Sequence, residues 1–495
     1  MQFERTFVSR AERAAARFAR KLPALFKNSL LAELDHAFKN CVSKSEFMRF
    51  ADSLQNRLFA GLISSYKHEA FSKLLALKLT NLAVAQFHYR RRHAVLISNP
   101  LQLTVDPTNA CQLGCPACVH SSNPDYAKLF DWPRETLPVE VHQNFLEMLG
   151  PFAFANLLYN YGEPLLHKRF SDFVRTSKEY LLFATSSTNL SMPLQDPEEL
   201  VASGLDRLVL SIDGTTPETY RRFRKGGNLD LVFENVRKLV SAKQQLGMRS
   251  PYLVWQFLTF EHNRHQVADA IDMGRRLGVN EVWVDTPFGV EVDDPGLRAV
   301  QVPERGSHVF IEWNGDWCDR DRQKSVDQIA PRVEAEFDRS WQQRHEERAE
   351  LDEADDEPGG EQGGIGSSAP ATCEWLYQNM TLDGASRVLP CCMAPGKSTK
   401  RLVFEHLTSD ESRTSARFVN SSMAVSSRLA FADRKAYESR RSELPEEKQP
   451  FCAECTEKPA PYGLVHVAGD ISLLDRNRAL PASVREALTH WGPIA

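Results

Sequence analysis

The sequence predicts an α/β fold built on a parallel sheet. Short β-rich runs alternate with helical segments, which is the pattern of such a fold. A proline-poor helical region precedes this part of the chain, and a cysteine-containing segment follows it. The candidate strands are Leu101–Val105, Asn156–Tyr161, Leu181–Thr185, Arg207–Ile212, Tyr252–Phe257 and Glu281–Asp285. Strands that alternate with helices in this way imply right-handed crossover connections. In such folds the chemistry lies on the loops that follow the strands.

Length and composition limit the class of protein. At 495 residues the chain is too long for one ordinary domain, and its 42% hydrophobic and 25% charged residues are typical of a soluble globular protein. A formal net charge of -5 gives no general attraction to nucleic acid. No apolar run approaches the roughly 18 to 20 residues that span a bilayer, and the N-terminus lacks a signal-peptide pattern. We therefore expect a cytoplasmic multidomain protein without a nucleic-acid partner.

We expect six successive regions along the chain. They are an N-terminal helical region (1–93), the α/β region (94–300), a connecting segment (301–343), an acidic and glycine-rich flexible linker (344–370), a small cysteine-containing domain (371–460) and a C-terminal tail (461–495). The linker is predicted because its composition cannot bury enough apolar surface to order itself.

The first predicted helix is basic and amphipathic. Residues 1–27 carry seven lysines and arginines against Glu4 and Glu12, interleaved with phenylalanines and leucine. Two interpretations stay open: the apolar face packs on the rest of the protein, or the helix contacts an anionic membrane surface.

The cysteines indicate metal binding or catalysis, because the chain is large and carries no export signal. Eight of the ten fall into two groups. The first is Cys111, Cys115 and Cys118, directly after the first candidate strand, and the second is Cys373, Cys391, Cys392, Cys452 and Cys455. Cys41 and Cys318 stand alone, which is typical of small buried hydrophobic side chains.

The first group can hold a four-iron, four-sulfur (4Fe-4S) cluster. Its C-x3-C-x2-C spacing places three thiolates within eight residues, and Gly114 and Pro116 favour the tight bend. Four thiolates normally close such a cluster, so three leave one iron open, and an open metal position characterises a catalytic site. The alternatives are accidental clustering and a zinc site to which the nearby His120 would add a ligand.

Residues 104–118, Thr-Val-Asp-Pro-Thr-Asn-Ala-Cys-Gln-Leu-Gly-Cys-Pro-Ala-Cys, resemble the signature of the radical S-adenosylmethionine (SAM) superfamily. The resemblance implies a partial (β/α)6 radical SAM barrel and a 4Fe-4S cluster on Cys111, Cys115 and Cys118 whose open iron binds SAM. It also implies that SAM is cleaved reductively to a 5′-deoxyadenosyl radical, which abstracts hydrogen from a substrate. An electron donor such as flavodoxin or ferredoxin is the implied partner. The family often has Asn where Gln112 stands.

Further motifs resemble this family in its order along the chain. Residues 161–164, Tyr-Gly-Glu-Pro, are similar to its Gly-Gly-Glu-Pro motif, residues 185–189 to its Thr-Asn-Gly element, and residues 211–214 to its fourth-strand motif. The SAM contacts that the resemblance implies are Gly162, Glu163, Pro164, Ser211, Asp213 and, in the stretch 219–227 that follows, Arg224. Gln256 on the fifth candidate strand is the expected contact of the SAM ribose. Glu163 would accept from the SAM ammonium and Arg224 would bind the SAM carboxylate. A simple turn at 162–164, and capping or surface roles for Ser211, Asp213 and Arg224, are the alternatives.

The second cysteine group resembles the auxiliary-cluster domains of this superfamily, called SPASM and twitch. Four thiolates, those of Cys373, Cys391, Cys452 and Cys455, would close one auxiliary 4Fe-4S cluster, as in the shorter twitch arrangement. A two-cluster SPASM domain needs more cysteines, unless Cys392 or Cys318 contributes. A structural zinc on the same four thiolates is the alternative.

The resemblance implies an enzyme and leaves its substrate open among peptides, small molecules and lipids. Asp285, at the carboxyl end of the sixth candidate strand, is the predicted catalytic base for an oxidation, with a helix cap or turn residue as the alternative. The competing interpretation of the whole chain is a non-catalytic, zinc-stabilised scaffold or interaction protein.

Overall fold

The computed structural model describes residues 92–121, 134–287, 292–302, 308–310, 373–392, 403–408, 419–432 and 434–442, with isolated positions between 74 and 89 and at 290, 401, 449, 450 and 452. Several predictions lie outside these residues. They are the basic first helix, the linker at 344–370, the tail at 461–495, Cys41, Cys318 and Cys455.

One sheet holds the strands of the described chain. Their bounds are β1 Gln102–Val105, β2 Ala155–Leu157, β3 Phe183–Thr188, β4 Arg207–Ser211, β5 Tyr252–Leu258, β6 Glu281–Asp285, β7 His308–Phe310, β8 Asn379–Leu382, β9 Arg387–Leu389 and β10 Glu405–His406. The order across the sheet is β10-β9-β8-β1-β2-β3-β4-β5-β6-β7. Strands β1 to β6 are parallel neighbours in chain order, which confirms the predicted α/β partial barrel.

Two strand boundaries differ from the prediction for local reasons. Strand β2 ends at Leu157, because residues 160–162 turn away to pack on the loop after β1. Strand β3 begins at Phe183, because Leu181 adopts a positive φ of 56° that extended pairing does not allow.

Helices cover the outer face of the sheet. Their bounds are α1 Val139–Leu149, α2 Phe170–Glu179, α3 Pro197–Ala202, α4 Pro217–Phe223, α5 Leu229–Gln245, α6 Val267–Leu277, α7 Trp375–Gln378, α8 Ser422–Ala432 and α9 Arg434–Arg441. Side chains at their starts accept backbone N–H groups, as Asp196 does for α3, Thr216 for α4 and Asn228 for α5. No helix in the described ranges is long and apolar enough to cross a membrane.

The two faces of the sheet differ in chemistry because side chains alternate along a strand. Leu208 and Leu210 of β4 belong to the apolar core under the helices. The intervening residues form the inner face, which is largely polar and charged. Its members on β3 to β6 include Thr185, Ser187, Arg207, Ser211, Gln256, Glu281, Trp283 and Asp285.

The described strands of the 371–460 region continue the barrel sheet. Strand β8 pairs in parallel with β1, and β9 and β10 follow in antiparallel pairing. The Leu101 N–H donates to Gln378 O at 2.7 Å and the Asp106 N–H to Leu382 O at 2.9 Å. This pairing covers the edge of β1, which would otherwise expose its peptide groups. The sequence did not predict this pairing or β7, and the domain boundary at residue 371 stays a prediction.

Candidate functional site

The loop after β1 brings the first three cysteines into one environment. Cys115 is buried and Cys111 and Cys118 are partly buried, against an apolar cluster that contains Leu113 and Phe223. Hydrogen bonds set the course of the loop: the Cys118 N–H donates to Cys115 O at 3.0 Å, and the Gly114 N–H donates to Lys225 O at 3.0 Å. The three thiols therefore lie together at the carboxyl end of the parallel strands.

Burial favours the protonated thiol at Cys111 and at Cys115. Burial raises the pKa of Cys111 to about 12, and the negative charges of Glu163, Cys115 and Cys118 add to this effect. Burial also raises the pKa of Cys115, although Arg224 opposes the shift. Because metals bind the thiolate, a cluster bound to these residues would displace these protons and would supply the positive charge that the thiolates need.

The donor set fits a cluster better than a single ion. Within the described ranges, no three or more His, Cys, Asp and Glu side chains are arranged to hold one metal ion. His120, the candidate fourth zinc ligand, instead hydrogen-bonds Tyr161 O through Nε2 at 2.9 Å. A 4Fe-4S cluster takes each thiolate on a different iron, so its ligands need not converge on one point.

Gly162 joins the loop after β2 to the cysteine loop. A Cβ atom at this position would lie 1.7 Å from Thr108 O, so no other residue fits without moving the backbone. The next N–H, that of Glu163, donates to Ala110 O at 2.8 Å. Pro164 then starts a short 3-10 helix over Pro164–Leu166.

The buried Glu163 carboxylate accepts three hydrogen bonds from the protein. They come from Thr188 Oγ1 at 2.6 Å, the Asn189 N–H at 2.7 Å and the Leu165 N–H at 3.2 Å. Burial raises the pKa of Glu163, and these donors oppose the shift. Glu163 thus ties the end of β3 to the cysteine loop, and its contact with the SAM ammonium stays a prediction.

Asn189 is a site residue that the sequence analysis did not single out. Its Oδ1 accepts from Gln112 Nε2 at 2.8 Å, and its Nδ2 donates to Cys111 Sγ at 3.7 Å. The next residue, Leu190, has a positive φ of 52°, a conformation that a bulky residue rarely adopts. The resemblance of residues 185–189 to a Thr-Asn-Gly element was the available signal, since its glycine falls at Leu190.

Asp213 and Arg224 form a buried ion pair beside Cys115. Arg224 Nε donates to Asp213 Oδ2 at 2.5 Å, and Asp213 Oδ1 accepts the Leu258 N–H at 2.8 Å. Burial lowers the pKa of Arg224, but the negative charge of Asp213, with a smaller electrostatic contribution from Cys115, outweighs burial and holds the pKa above its usual range. Arg224 therefore stands between a carboxylate and a predicted cluster ligand, and its contact with the SAM carboxylate stays a prediction.

The remaining predicted residues line the inner face. Ser211 Oγ lies 3.3 Å from Ser187 Oγ. Gln256 Nε2 donates to Asp285 Oδ2 at 2.8 Å, so the predicted ribose contact and the predicted base touch each other. Asp285 is the last residue of β6 and points to the interior of the partial barrel.

The second cysteine group is dispersed. Cys373 and Cys391 pack against the main apolar core and Cys452 belongs to it. The described cysteines form no disulfide.

Cysteines of both groups act electrostatically on Tyr161. Its pKa is raised by burial, then by Cys392 and Cys391, and to a smaller degree by Cys118. Burial raises the pKa of Cys392 to about 12.

Known proteins resemble part of this chain. A "Probable GTP 3',8-cyclase" of Methanocaldococcus jannaschii is 26% identical over 180 residues, 36% of this chain and 55% of that protein. A GTP 3',8-cyclase of Clostridium botulinum is 27% identical over 199 residues, 38% of this chain and 57% of that protein. The chain thus spans about half the length of these relatives.

A solved structure, SuiB of Streptococcus suis bound to S-adenosylmethionine, has 14% identity and a TM-score of 0.40, with 81% of each chain covered. This similarity is too low for a comparison of individual residues. The family model for the radical SAM superfamily matches residues 105–250. These residues run from the end of β1 through the cysteine loop to the segment just before β5, and they therefore form a radical SAM domain.

Proposed function

We propose that this chain is a radical SAM enzyme. The observation that carries the proposal is the placement of three thiols on one loop after β1, inside the segment that the family model matches. Cys111, Cys115 and Cys118 would hold three irons of a 4Fe-4S cluster, leaving the fourth for SAM. When bound, the cluster and SAM supply a 5′-deoxyadenosyl radical that removes a hydrogen atom from the substrate.

The residues around the thiols have positioning roles in this proposal. Asn189 and Gln112 hold Cys111 from one side, and the Asp213–Arg224 pair holds Cys115 from the other. A ligand fixed by such contacts keeps its orientation when the metal binds. Gly162 and Glu163 bring the ends of β2 and β3 against the same loop.

Asp285 is the proposed base when the reaction is an oxidation. Gln256 engages Oδ2, which orients the carboxylate and leaves Oδ1 to take a proton from a substrate hydroxyl or amine on the inner face.

Cys373, Cys391, Cys452 and Cys455 would hold one auxiliary cluster in a twitch-like arrangement. The electrostatic effect of Cys391 and Cys392 on the pKa of Tyr161 supports a location beside the first site. An electron donor such as flavodoxin or ferredoxin belongs to this proposal, as does a cytoplasmic location, because a reducing compartment keeps the thiols available.

Contact of the basic N-terminus with a membrane surface is tested by binding to anionic vesicles at low salt. Protein that stays wholly in solution contradicts this contact.

Anaerobic reconstitution separates the enzyme from a zinc-stabilised scaffold. We expect about eight irons per chain and release of 5′-deoxyadenosine from SAM on reduction. Cys115→Ala should abolish this release, whereas Cys452→Ala should remove only the auxiliary irons. Two zinc ions per chain and no cleavage of SAM would establish the scaffold instead.

A further inference from the structure

Arg207 is a cation on the inner face of the sheet. It is the first residue of β4, and the alternation along the strand sends Leu208 into the apolar core and Arg207 into the interior of the partial barrel. Its guanidinium carbon lies 5.1 Å from the ring centre of Phe183 and 5.9 Å from that of Trp283. Two rings, one on β3 and one on β6, thus lie within cation–π distance of the guanidinium.

In the described part of the chain this guanidinium forms no salt bridge and no side-chain hydrogen bond, and its close contacts are the two rings. Its charge also acts on the neighbouring Asp206, where it helps to lower the pKa of the carboxyl. The adjacent carboxylate, Asp206, is engaged by Lys178 at 2.6 Å. Two other partly buried arginines have carboxylate partners: Arg224 pairs with Asp213, and Arg387 with Asp383. A guanidinium has five N–H donors, so those of Arg207 stay available to a ligand.

The groups around Arg207 suit a polar ligand. Thr185 is its register partner on β3, and the hydroxyls of Ser187 and Ser211 follow toward the carboxyl end of the sheet. Glu281 is another charged residue of the inner face. Its carboxylate accepts a hydrogen bond from the Trp283 indole N–H.

We propose that Arg207 binds an oxyanion of the substrate, a carboxylate or a phosphate, through the paired N–H groups of its guanidinium. Planar guanidinium and oxyanion groups match in a two-point contact that lysine cannot reproduce. From Arg207 to Ser211 the strand advances about 13 Å, at about 3.3 Å per residue. The substrate is therefore an elongated anion, with its reacting end near the cysteine loop and its charged end toward the opposite opening. This inference rests on the proposed function, which supplies the reacting end.

Titration calorimetry on the reconstituted full chain, without SAM, tests the contact. Pyrophosphate and succinate are the probes, one for each oxyanion source. We expect roughly millimolar binding of at least one probe, since a single charged contact provides little more. Arg207→Met should weaken it about 10- to 100-fold, and Arg207→Lys should restore part of the loss. Arg275→Met, on the exposed outer surface of α6, is the matched control and should bind as the wild type does.

Binding of pyrophosphate alone identifies a phosphate, and binding of succinate alone identifies a carboxylate. The inference is overturned when the wild type binds neither probe at about 10 mM, a concentration well above a millimolar dissociation constant, or when Arg207→Met binds as well as the wild type. The iron content of each variant shows whether it folds. If Arg207→Met does not fold, binding is tested with Arg207→Lys instead. A wild type that releases 5′-deoxyadenosine but binds neither probe refutes this inference and leaves the proposed function standing.

Discussion

The two cysteine groups are assembled in different ways. Cys111, Cys115 and Cys118 share one loop, and contacts such as the Gly114 N–H to Lys225 O fasten that loop to its neighbours. The described members of the second group come from separate segments, before α7, after β9 and after α9. Three of them, Cys373, Cys391 and Cys452, lie in or against the main core. A site on one loop depends on a few close contacts, whereas a dispersed site depends on long loop closures and on the whole fold. Substitutions should therefore disturb the two sites independently.

The largest expected effect is that of Gly162→Ala. The new Cβ would meet Thr108 O at 1.7 Å, which requires the cysteine loop to move. We expect the variant to lose the irons of the first site, about four per chain, and the release of 5′-deoxyadenosine. Gly114→Ala is the control in the same loop, because its Cβ would have an ordinary contact of 3.9 Å with His120 O. Full iron content in Gly162→Ala would contradict the close packing.

A matched pair of buried ion pairs allows the next comparison. Asp213 with Arg224 adjoins the first site, and Asp383 with Arg387 lies on the β8–β9 hairpin; both carboxylates are 0% exposed, and the arginines are 14% and 13% exposed. Replacing either Asp by Asn should lower the free energy of unfolding by about 3–5 kcal/mol, because it leaves a buried cation unpaired. Only Asp213→Asn should also change the electron paramagnetic resonance signal of the first cluster. Equal spectral changes in both variants would show that the regions are not independent.

Asp106, between the two regions, makes stability depend on pH. Burial raises the pKa of its carboxyl to about 8, with a smaller contribution from Asp383. The folded protein then keeps a proton that the unfolded chain releases above the ordinary carboxyl pKa. The contribution to stability is complete below pH 4 and is lost as pH rises toward 8, by at most about 1.4 kcal/mol per pH unit.

Urea unfolding at pH 5, 6, 7 and 8 measures this dependence. Asp106→Asn keeps an acceptor for the Tyr161 N–H but cannot ionise, so its free energy of unfolding should fall less over this range. Parallel pH curves for the two proteins would exclude Asp106 as the source.

The smallest expected effect is that of Asn189→Ala. The variant loses the contacts with Gln112 and with Cys111 Sγ, at a cost of about 1 kcal/mol in stability. We expect the first site to keep its irons and to show a shifted reduction potential, because hydrogen bonds to sulfur tune the cluster. An unchanged potential in a voltammetric measurement would limit Asn189 to a structural role.

The elements of the fold that could be predicted are those with a clear and periodic sequence pattern. The six parallel strands carry clear β-rich runs between helices, and they were placed to within a few residues. Strands β8 to β10 are two to four residues long, and β8 forms against β1 across most of the chain. Pairing at such a distance has no local pattern, so the extension of the sheet was missed.

Some residues of the candidate site could also be predicted from a local pattern, and others could not. The cysteine loop and the Gly162–Glu163 turn are each a contiguous motif, and the residue types in each motif indicate its chemistry. Asn189 acts through a side chain from another strand, and a leucine stands where the motif would have glycine. Arg207 has no motif at all, because its significance depends on rings from β3 and β6 that meet only in the folded barrel.

The pairing of β8 with β1 bears on the order in which the protein is made. Thr104 and Asn379, which lie 3.4 Å apart through Oγ1 and Oδ1, are separated by 275 positions in the chain. Synthesis from the N-terminus thus delivers the cysteine loop long before the strand that covers its neighbouring edge. A nascent chain carries an exposed strand beside three reduced thiols, and a ribosome stalled before residue 379 would leave the protein open to aggregation and oxidation at the same place. We therefore expect the cluster to be inserted most efficiently after β8 has paired with β1 and completed the sheet.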